Sequence, residues 1–176
     1  MSRDWERGYV QVYTGDGKGK TTAALGLAVR AAGAGRRVYI GQFIKGRPYS
    51  ELAALKRLGD AITVRQYGRG CFIYREPTAE DVRLAESGLA EARRVLAAGE
   101  YSVVILDEAN VAVTVGLFPV DRLLELIDGK PECVELVLTG RGADARLLAR
   151  ADLVTEMREV KHYFRAGVAA RRGIES

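Results

Sequence analysis

Residues 14–22 read T-G-D-G-K-G-K-T-T, and residues 106–110 read L-D-E-A-N. Together they hold the residue types that bind a nucleotide phosphate and its metal ion. Backbone N–H groups of Gly15, Gly17 and Gly19 can face an anion because no Cβ stands in the way. A helix beginning near Lys20 adds its positive end. Lys20 would set an ammonium on the phosphates, and the Thr21 hydroxyl would ligate Mg²⁺. The spacing departs from G-x-x-x-x-G-K-[ST], since Thr14 stands where the first glycine belongs and Lys18 is a second lysine. Two readings stand at this point. One is a working loop that is a residue short, with Gly15 as its first glycine. The other is a glycine-rich strand-to-helix turn without a ligand. The position after a strand and before a helix favours the first.

The run V-V-I-L-D-E-A, residues 103–109, is apolar until Asp107 and Glu108. A buried strand that ends this way delivers a carboxylate to Mg²⁺ in phosphate-loop proteins. The plain alternative is a solvated acidic turn. Mg²⁺ takes oxygen ligands from one or two protein groups, phosphates and water, so Thr21 with Asp107 or Glu108 would suffice. A third turn, T-G-R-G-A-D at residues 139–144, carries Arg141. There is no N-K-x-D guanine signature and no H-R-D with D-F-G pair. The residues thus describe a Mg²⁺-nucleotide protein without naming its reaction.

These turns need elements to hold them. Strands are expected at residues 9–14, 37–44, 62–68, 101–109, 133–140 and 153–160. Helices are expected at 20–35, 50–59, 78–99, 120–129 and 143–151. Gly33 and Gly35 offer stops for the first helix. Ser50 reads as an N-cap and Gly59 as a C-terminal stop for the second. Thr78 and Asp81 form a capping-box pattern with Asp in place of Glu. Strands alternating with helices imply an α/β fold with a mostly parallel sheet and helices on both faces. Ligands of such sheets bind at the carboxyl ends of the strands, where all three turns fall.

The chain has 176 residues, 48% hydrophobic and 28% charged, which suits one globular domain. Its net charge of +4 comes from 27 basic and 23 acidic residues and fits an anionic ligand, not nucleic acid. Two cysteines without C-x-x-C make neither a disulfide framework nor a four-ligand zinc site. With no signal-like leader and no membrane-length apolar run, a cytoplasmic protein is expected.

The longer motifs carry a resemblance. V-Y-T-G-D-G-K-G-K-T-T-A-A-L-G through F-I-K-G (12–46), V-V-I-L-D-E-A-N-V-A-V-T-V-G-L (103–117) and the stretch from E-L-V-L-T-G-R-G to K-H-Y-F-R-A-G-V-A-A-R-R-G-I-E (135–175) follow in this order. The chain resembles the ATP:corrinoid adenosyltransferases of the CobA/BtuR/CobO type, and the tail motif is more specific than the loop. The resemblance implies a single P-loop NTPase-like (RecA-like) domain over residues 1–176. Residues 1–8 would be a lid or partner contact, and 161–176 a C-terminal tail. It also implies transfer of the 5′-deoxyadenosyl group of ATP to cobalt(I) of a reduced corrinoid, with triphosphate leaving. The family loop is short in the same way, and ATP is expected to sit reversed in it.

By the same resemblance Thr14, Gly15, Asp16, Gly17, Lys18, Gly19, Lys20, Thr21, Thr22 and Arg141 would bind ATP. Lys20, Thr21 and Glu108 would carry catalysis. Thr21, Glu108 and Asp107 would hold Mg²⁺ or Mn²⁺. Asp16 departs from an asparagine often found there. The corrinoid face is expected at residues 67–78, with Tyr67, Arg69, Phe72 and Ile73 as contacts. Two family aromatic positions align with Cys71 and Ile73 here, so either Phe72 and Tyr74 would serve in a shifted register or a bulky apolar wedge of another kind would suffice. Trp5 would pack on a partner or cover the site, and Arg165, Arg171 and Arg172 form a solvated face or meet the corrinoid. His162 and Cys133 read as structural. A homodimer and a flavoprotein reductase are the expected partners. The competing classes are a phosphate-loop ATPase or small-molecule kinase, and a non-catalytic nucleotide or corrinoid carrier.

Overall fold

The computed structural model describes residues 6–70 and 76–175. Six strands form one sheet: β1 (Val10–Thr14), β2 (Val38–Phe43), β3 (Ile62–Tyr67), β4 (Val103–Asp107), β5 (Glu135–Thr139) and β6 (Leu153–Glu156). Their order is β3-β2-β4-β5-β1-β6, and every pairing is parallel. The helices are α1 (Lys20–Gly33), α2 (Ser50–Lys56), α3 (Ala79–Ala98), α4 (Ala109–Thr114), α5 (Asp121–Asp128) and α6 (Ala145–Arg150). The expected α/β architecture is therefore present, with a sheet that is parallel throughout.

Successive strand residues point to opposite faces, and both faces are covered. Val12, Val104, Leu106, Leu136 and Leu138 pack in one cluster with Leu89, Leu96 and Leu123 of α3 and α5. Val38, Ile40, Val103, Ile105 and Val137 pack in the other with Ala24, Ala28 and Ala31 of α1 and Leu55 of α2. This explains why residues 103–107 read as an unbroken apolar run: all five are buried. The small alanines on the buried stripe of α1 let that helix lie close to the sheet, which carries its first turn toward the strand ends.

The register sets the site. Gln42 lies opposite Asp107 across β2 and β4, and Leu106 lies opposite Leu138 across β4 and β5. Gln42, Asp107 and Thr139 therefore stand in one row near the carboxyl ends of three adjacent strands, Gln42 one residue before the end of β2. β5 separates the phosphate-loop strand β1 from the acidic strand β4, so Thr139 stands between the two motifs.

The Thr78–Asp81 capping box forms, with both reciprocal hydrogen bonds present. Other boundaries differ from expectation. Ser50 is the first helical residue and makes no cap; Tyr49 takes the N-cap position. α2 stops at Lys56, and Gly59, at φ +60°, opens a separate 3₁₀ turn, Gly59–Ala61. β6 ends at Glu156, four residues before the end of its apolar-polar run, because the chain turns across the glycine loop: Met157 N–H donates to Thr14 O at 2.9 Å. α4, only six residues long, shows no helical period of its own in the sequence.

Two helical glycines test the packing with opposite signs. A Cβ on Gly26 of α1 would meet nothing within 4 Å, whereas one on Gly88 of α3 would fall 2.8 Å from the Tyr67 ring and 2.9 Å from Phe43. Gly26→Ala should raise unfolding free energy by about 0.5–1 kcal/mol through backbone entropy. Gly88→Ala should lower it by about 1–3 kcal/mol through overpacking. Urea unfolding of both variants measures this, and equal shifts would contradict the packing of α3 on Tyr67 and Phe43.

Candidate active site

The loop between β1 and α1 closes on its own lysine. Lys20 is buried, and its ammonium donates to Gly15 O at 2.6 Å and Gly17 O at 2.7 Å. An ammonium has three N–H groups, which leaves one for an anion. Burial, then repulsion from Arg141, lowers the Lys20 pKa. The glycines do more than expose N–H groups. Gly17 N–H is not free, because it donates to Met157 O at 2.7 Å. A Cβ on Gly15 would come within 2.4 Å of that same oxygen, and one on Gly17 within 2.7 Å. Part of the glycine pattern therefore serves the close passage of residues 156–158 behind the loop, which corrects the expectation that all three N–H groups await phosphate. Gly19, at φ +119°, makes the turn into α1.

The acidic strand end reaches the loop directly. Thr21 Oγ1 donates to Asp107 Oδ1 at 2.9 Å. Thr139 Oγ1 donates to the same oxygen at 2.7 Å and accepts from Glu108 N–H at 3.1 Å. Gln42 Nε2 and Lys45 Nζ donate to Asp107 Oδ2 at 3.1 and 2.7 Å. Asp107 is only 1% exposed, and this ring of donors satisfies the buried carboxylate on both oxygens. Burial acts to lower the Lys45 pKa, but attraction and hydrogen bonding to Asp107 outweigh it and the net shift is upward. Burial, then the Asp107 charge, pushes Glu108 up.

Thr21, Asp107 and Glu108 supply only oxygen donors, which suits a hard divalent cation such as Mg²⁺. Among the described residues no group of three or more His, Cys, Asp or Glu converges as a metal cage. A Mg²⁺ ion that shares its coordination with phosphates and water needs no such cage.

Only two non-glycine residues among those described have positive φ, Ile44 at 65° and Glu108 at 60°. They follow β2 and β4, adjacent strands, at their carboxyl ends. Such backbone costs on the order of 1–3 kcal/mol and gathers at functional sites. Sequence reasoning missed Lys45, Gln42 and Thr139. The signal for Lys45 was the place of F-I-K-G directly after a buried strand. For Gln42 and Thr139 it was a polar residue near the end of an otherwise apolar run.

Arg141 joins the loop, its Nη2 donating to Asp16 O at 3.1 Å. Beyond it lies an open cleft of about 480 Å³ lined by Arg141, Glu159, His162, Phe164 and Arg165. The Asp16 side chain faces solvent. Lys18 Nζ donates to Ile174 O at 2.9 Å, which draws the tail back toward the loop. Thr14 Oγ1 accepts from Ala143 N–H at 3.3 Å. Thr22 is exposed on the first turn of α1. His162 Nδ1 accepts from Phe164 N–H at 3.1 Å and caps the turn Tyr163–Ala166, the structural role expected of it. Cys133 is partly buried against the core, although it precedes β5 and does not begin it.

The corrinoid-face residues separate. Tyr67 packs on Phe43, with ring centroids 5.9 Å apart, and its hydroxyl pairs with that of Tyr39 at 2.6 Å. Arg69 forks onto Asp81 at 2.7 and 2.8 Å. Both serve packing and anchoring where the structure places them. Phe72 and Ile73, with Cys71 and Tyr74, lie outside the described residues, as does Trp5.

A parallel sheet flanked by helices, with a lysine-bearing glycine loop after β1 and a threonine-linked carboxylate at the end of β4, is consistent with a P-loop NTPase-like domain. The model of the family described as ATP:corrinoid adenosyltransferase BtuR/CobO/CobP matches residues 6–176, and the chain belongs to that family. Similar relatives include the corrinoid adenosyltransferase of Pseudomonas aeruginosa, 38% identical over 176 residues, covering 99% of this chain and 86% of the relative. Those of Escherichia coli K12 and Salmonella typhimurium are each 38% identical over 172 residues, covering 97% of this chain and 86% of the relative. The family's members are enzymes that transfer the adenosyl group of ATP to a corrinoid.

The Arg69–Asp81 fork makes a pH prediction. Hydrogen bonds from Arg69 hold the Asp81 carboxyl down at about 2, from 3.8. A depressed carboxylate contributes stability above its unfolded pKa and loses it as pH falls through the folded one. The contribution should be complete above about pH 4 and fade toward pH 2. Arg69 is 35% exposed, so solvent screening limits it to on the order of 1 kcal/mol. Arg69→Leu should lower stability by that amount at neutral pH and flatten the fall between pH 4 and 2, as read by urea unfolding at stepped pH.

Proposed function

We propose that the chain binds Mg²⁺–ATP with the triphosphate in the loop of residues 15–20. It then passes the 5′-deoxyadenosyl group to cobalt(I) of a reduced corrinoid. The observation that supports this most is the convergence of Lys20, Thr21, Asp107, Glu108 and Arg141 at one end of the sheet, in a chain matched to the family over residues 6–176. Cobalt(I) supplies the electron pair that forms the cobalt–carbon bond. The bond from the 5′-carbon to the triphosphate oxygen breaks, and its pair leaves with triphosphate. The nucleophile belongs to the substrate, so the protein's task is to orient the nucleotide and stabilise the leaving group.

Lys20 directs its remaining N–H at the triphosphate, while its bonds to Gly15 and Gly17 keep the loop closed around it. Arg141, fixed to Asp16 O, adds a second cation from the β5 side. Thr21 with Asp107 and Glu108 would hold Mg²⁺, or Mn²⁺ in its place, which when bound would supply positive charge beside the leaving triphosphate. Glu108 takes the role of a ligand, not of a base for water. ATP reversed in the loop leaves carbon, and not phosphorus, toward the attacking group. The corrinoid would approach over the β2 and β3 exits.

A homodimer is part of this proposal. Gly8 N–H donates to Glu132 O at 2.8 Å, and Lys130 Nζ donates to Gly8 O at 3.0 Å. These bonds fix residue 8 at the amino end of β1, opposite the phosphate loop. A flavoprotein reductase would supply the reduced corrinoid, and a cytoplasmic setting suits the paucity of cysteine. Among the described residues no helix is long and apolar enough to cross a membrane.

The test mixes protein, Mg²⁺–ATP and chemically reduced cobalamin and identifies the products. Triphosphate and a visible spectrum with a cobalt–carbon bond are expected; ADP or phosphate in their place would sink the reading in favour of an ATPase or kinase. Lys20→Ala and Glu108→Ala should each lower turnover by about 10²–10³-fold with unchanged circular dichroism. Normal turnover in either variant would refute its assigned role.

A further inference from the structure

The Asp107 carboxylate has no open direction. Oδ1 accepts from Thr21 and Thr139, and Oδ2 accepts from Gln42 and Lys45. A carboxylate offers about four lone-pair sites, and all four are in use. A cation that reaches Asp107 must displace one donor. Gln42 and Thr139 are fully buried on flanking strands, and Thr21 is itself a ligand in the reading above. Lys45 is the donor able to move: its side chain is 14% exposed, and it enters from the loop beyond β2.

The ammonium also stands in the metal's place. Lys45 Nζ lies 2.7 Å from Asp107 Oδ2 and 3.1 Å from Thr21 Oγ1, bridging the two side chains that the metal would bridge. The backbone that aims it is strained at Ile44, a β-branched residue at φ +65°. Close approach of the neighbouring turn holds that strain in place: a Cβ on Gly68 would meet the Ile44 carbonyl carbon at 2.3 Å, and one on Gly46 would meet Gly68 O at 2.0 Å. The Tyr49 ring, centred 5.5 Å from Nζ, gives the ammonium a second favourable neighbour.

We infer that Lys45 is a resident cation that keeps free divalent metal out of the site and yields only to metal arriving on a triphosphate. This rests on the reading of Thr21 and Asp107 as metal ligands. A free ion would have to lose water and strand the ammonium, its carboxylate gone, in a largely buried position. A metal–triphosphate complex brings phosphate oxygens that complete the metal's coordination and give the displaced ammonium a new anionic partner. Metal and nucleotide binding are thereby coupled, each strengthening the other. Lys45 is a positioning residue in this scheme, and after displacement its charge falls on the triphosphate.

The experiment titrates the full chain with Mn²⁺ and counts free ion by electron paramagnetic resonance, with and without ATP and with no corrinoid present. The wild type should bind Mn²⁺ weakly without ATP. Lys45→Met should bind it at least about tenfold more tightly without ATP, and the gain on adding ATP should shrink. Mn²⁺ alone should raise the melting temperature of Lys45→Met more than that of the wild type. If Lys45→Met does not fold, Lys45→Gln removes the charge and keeps a donor, and the same tightening is expected. Mn²⁺ affinity unchanged by loss of the Lys45 charge overturns the inference. Asp107→Asn separates the two failures: if it leaves Mn²⁺–ATP binding intact, the assignment of the metal site itself has failed.

Discussion

A charged carboxylate buried at the end of a parallel strand is the constraint on which the rest of this molecule depends. Asp107 is 1% exposed, and an unpaired ion so placed costs several kcal/mol even after relaxation. The fold meets that cost by bringing four donors to it from α1, β2, the loop after β2, and β5. None of these contacts survives a slip in strand register. Gln42 faces Asp107 only because β2 pairs with β4 as it does, and Thr139 reaches it only because β5 lies between β1 and β4. The site and the sheet are one piece of engineering in this sense: the polar row at the strand ends is continuous with the apolar rows beneath it.

The glycines of the phosphate loop answer two demands at once. A phosphate-binding turn needs backbone that approaches its ligand closely. The same loop must also let residues 156–158 pass behind it, at distances where a Cβ on Gly15 or Gly17 would collide with the Met157 carbonyl. That passage ties β6 and the tail to the loop, and Lys18 adds a bond to Ile174 O on the exposed side.

Backbone strain marks where geometry has been bought for chemistry. Ile44 and Glu108 both adopt left-handed backbone without being glycine, on adjacent strand ends. One aims Lys45 at Asp107, and the other turns the second carboxylate into the same cleft. The family reaction needs no protein nucleophile, and the residues assembled here are those of charge control: two lysines, an arginine, two carboxylates and a hydroxyl. Such a set suits a leaving group that carries several negative charges.

The sequence by itself determined the class of fold, the loop, the acidic strand end and the family. Each of these is written in local order: a glycine pattern at a strand–helix junction, an apolar run ending in two acids, a tail motif. The capping box at Thr78 and Asp81 was legible for the same reason, because both partners lie within one turn. Tertiary structure alone decided the rest. It tied Arg69 to Asp81, and it placed Tyr67 against Phe43. It assigned Gly17 N–H to Met157, far along the chain. It brought Lys45 to Asp107 across 62 positions of sequence. Periodicity and motif spacing register neighbours along the chain, whereas a buried charge draws its partners from whatever elements the sheet order places beside it.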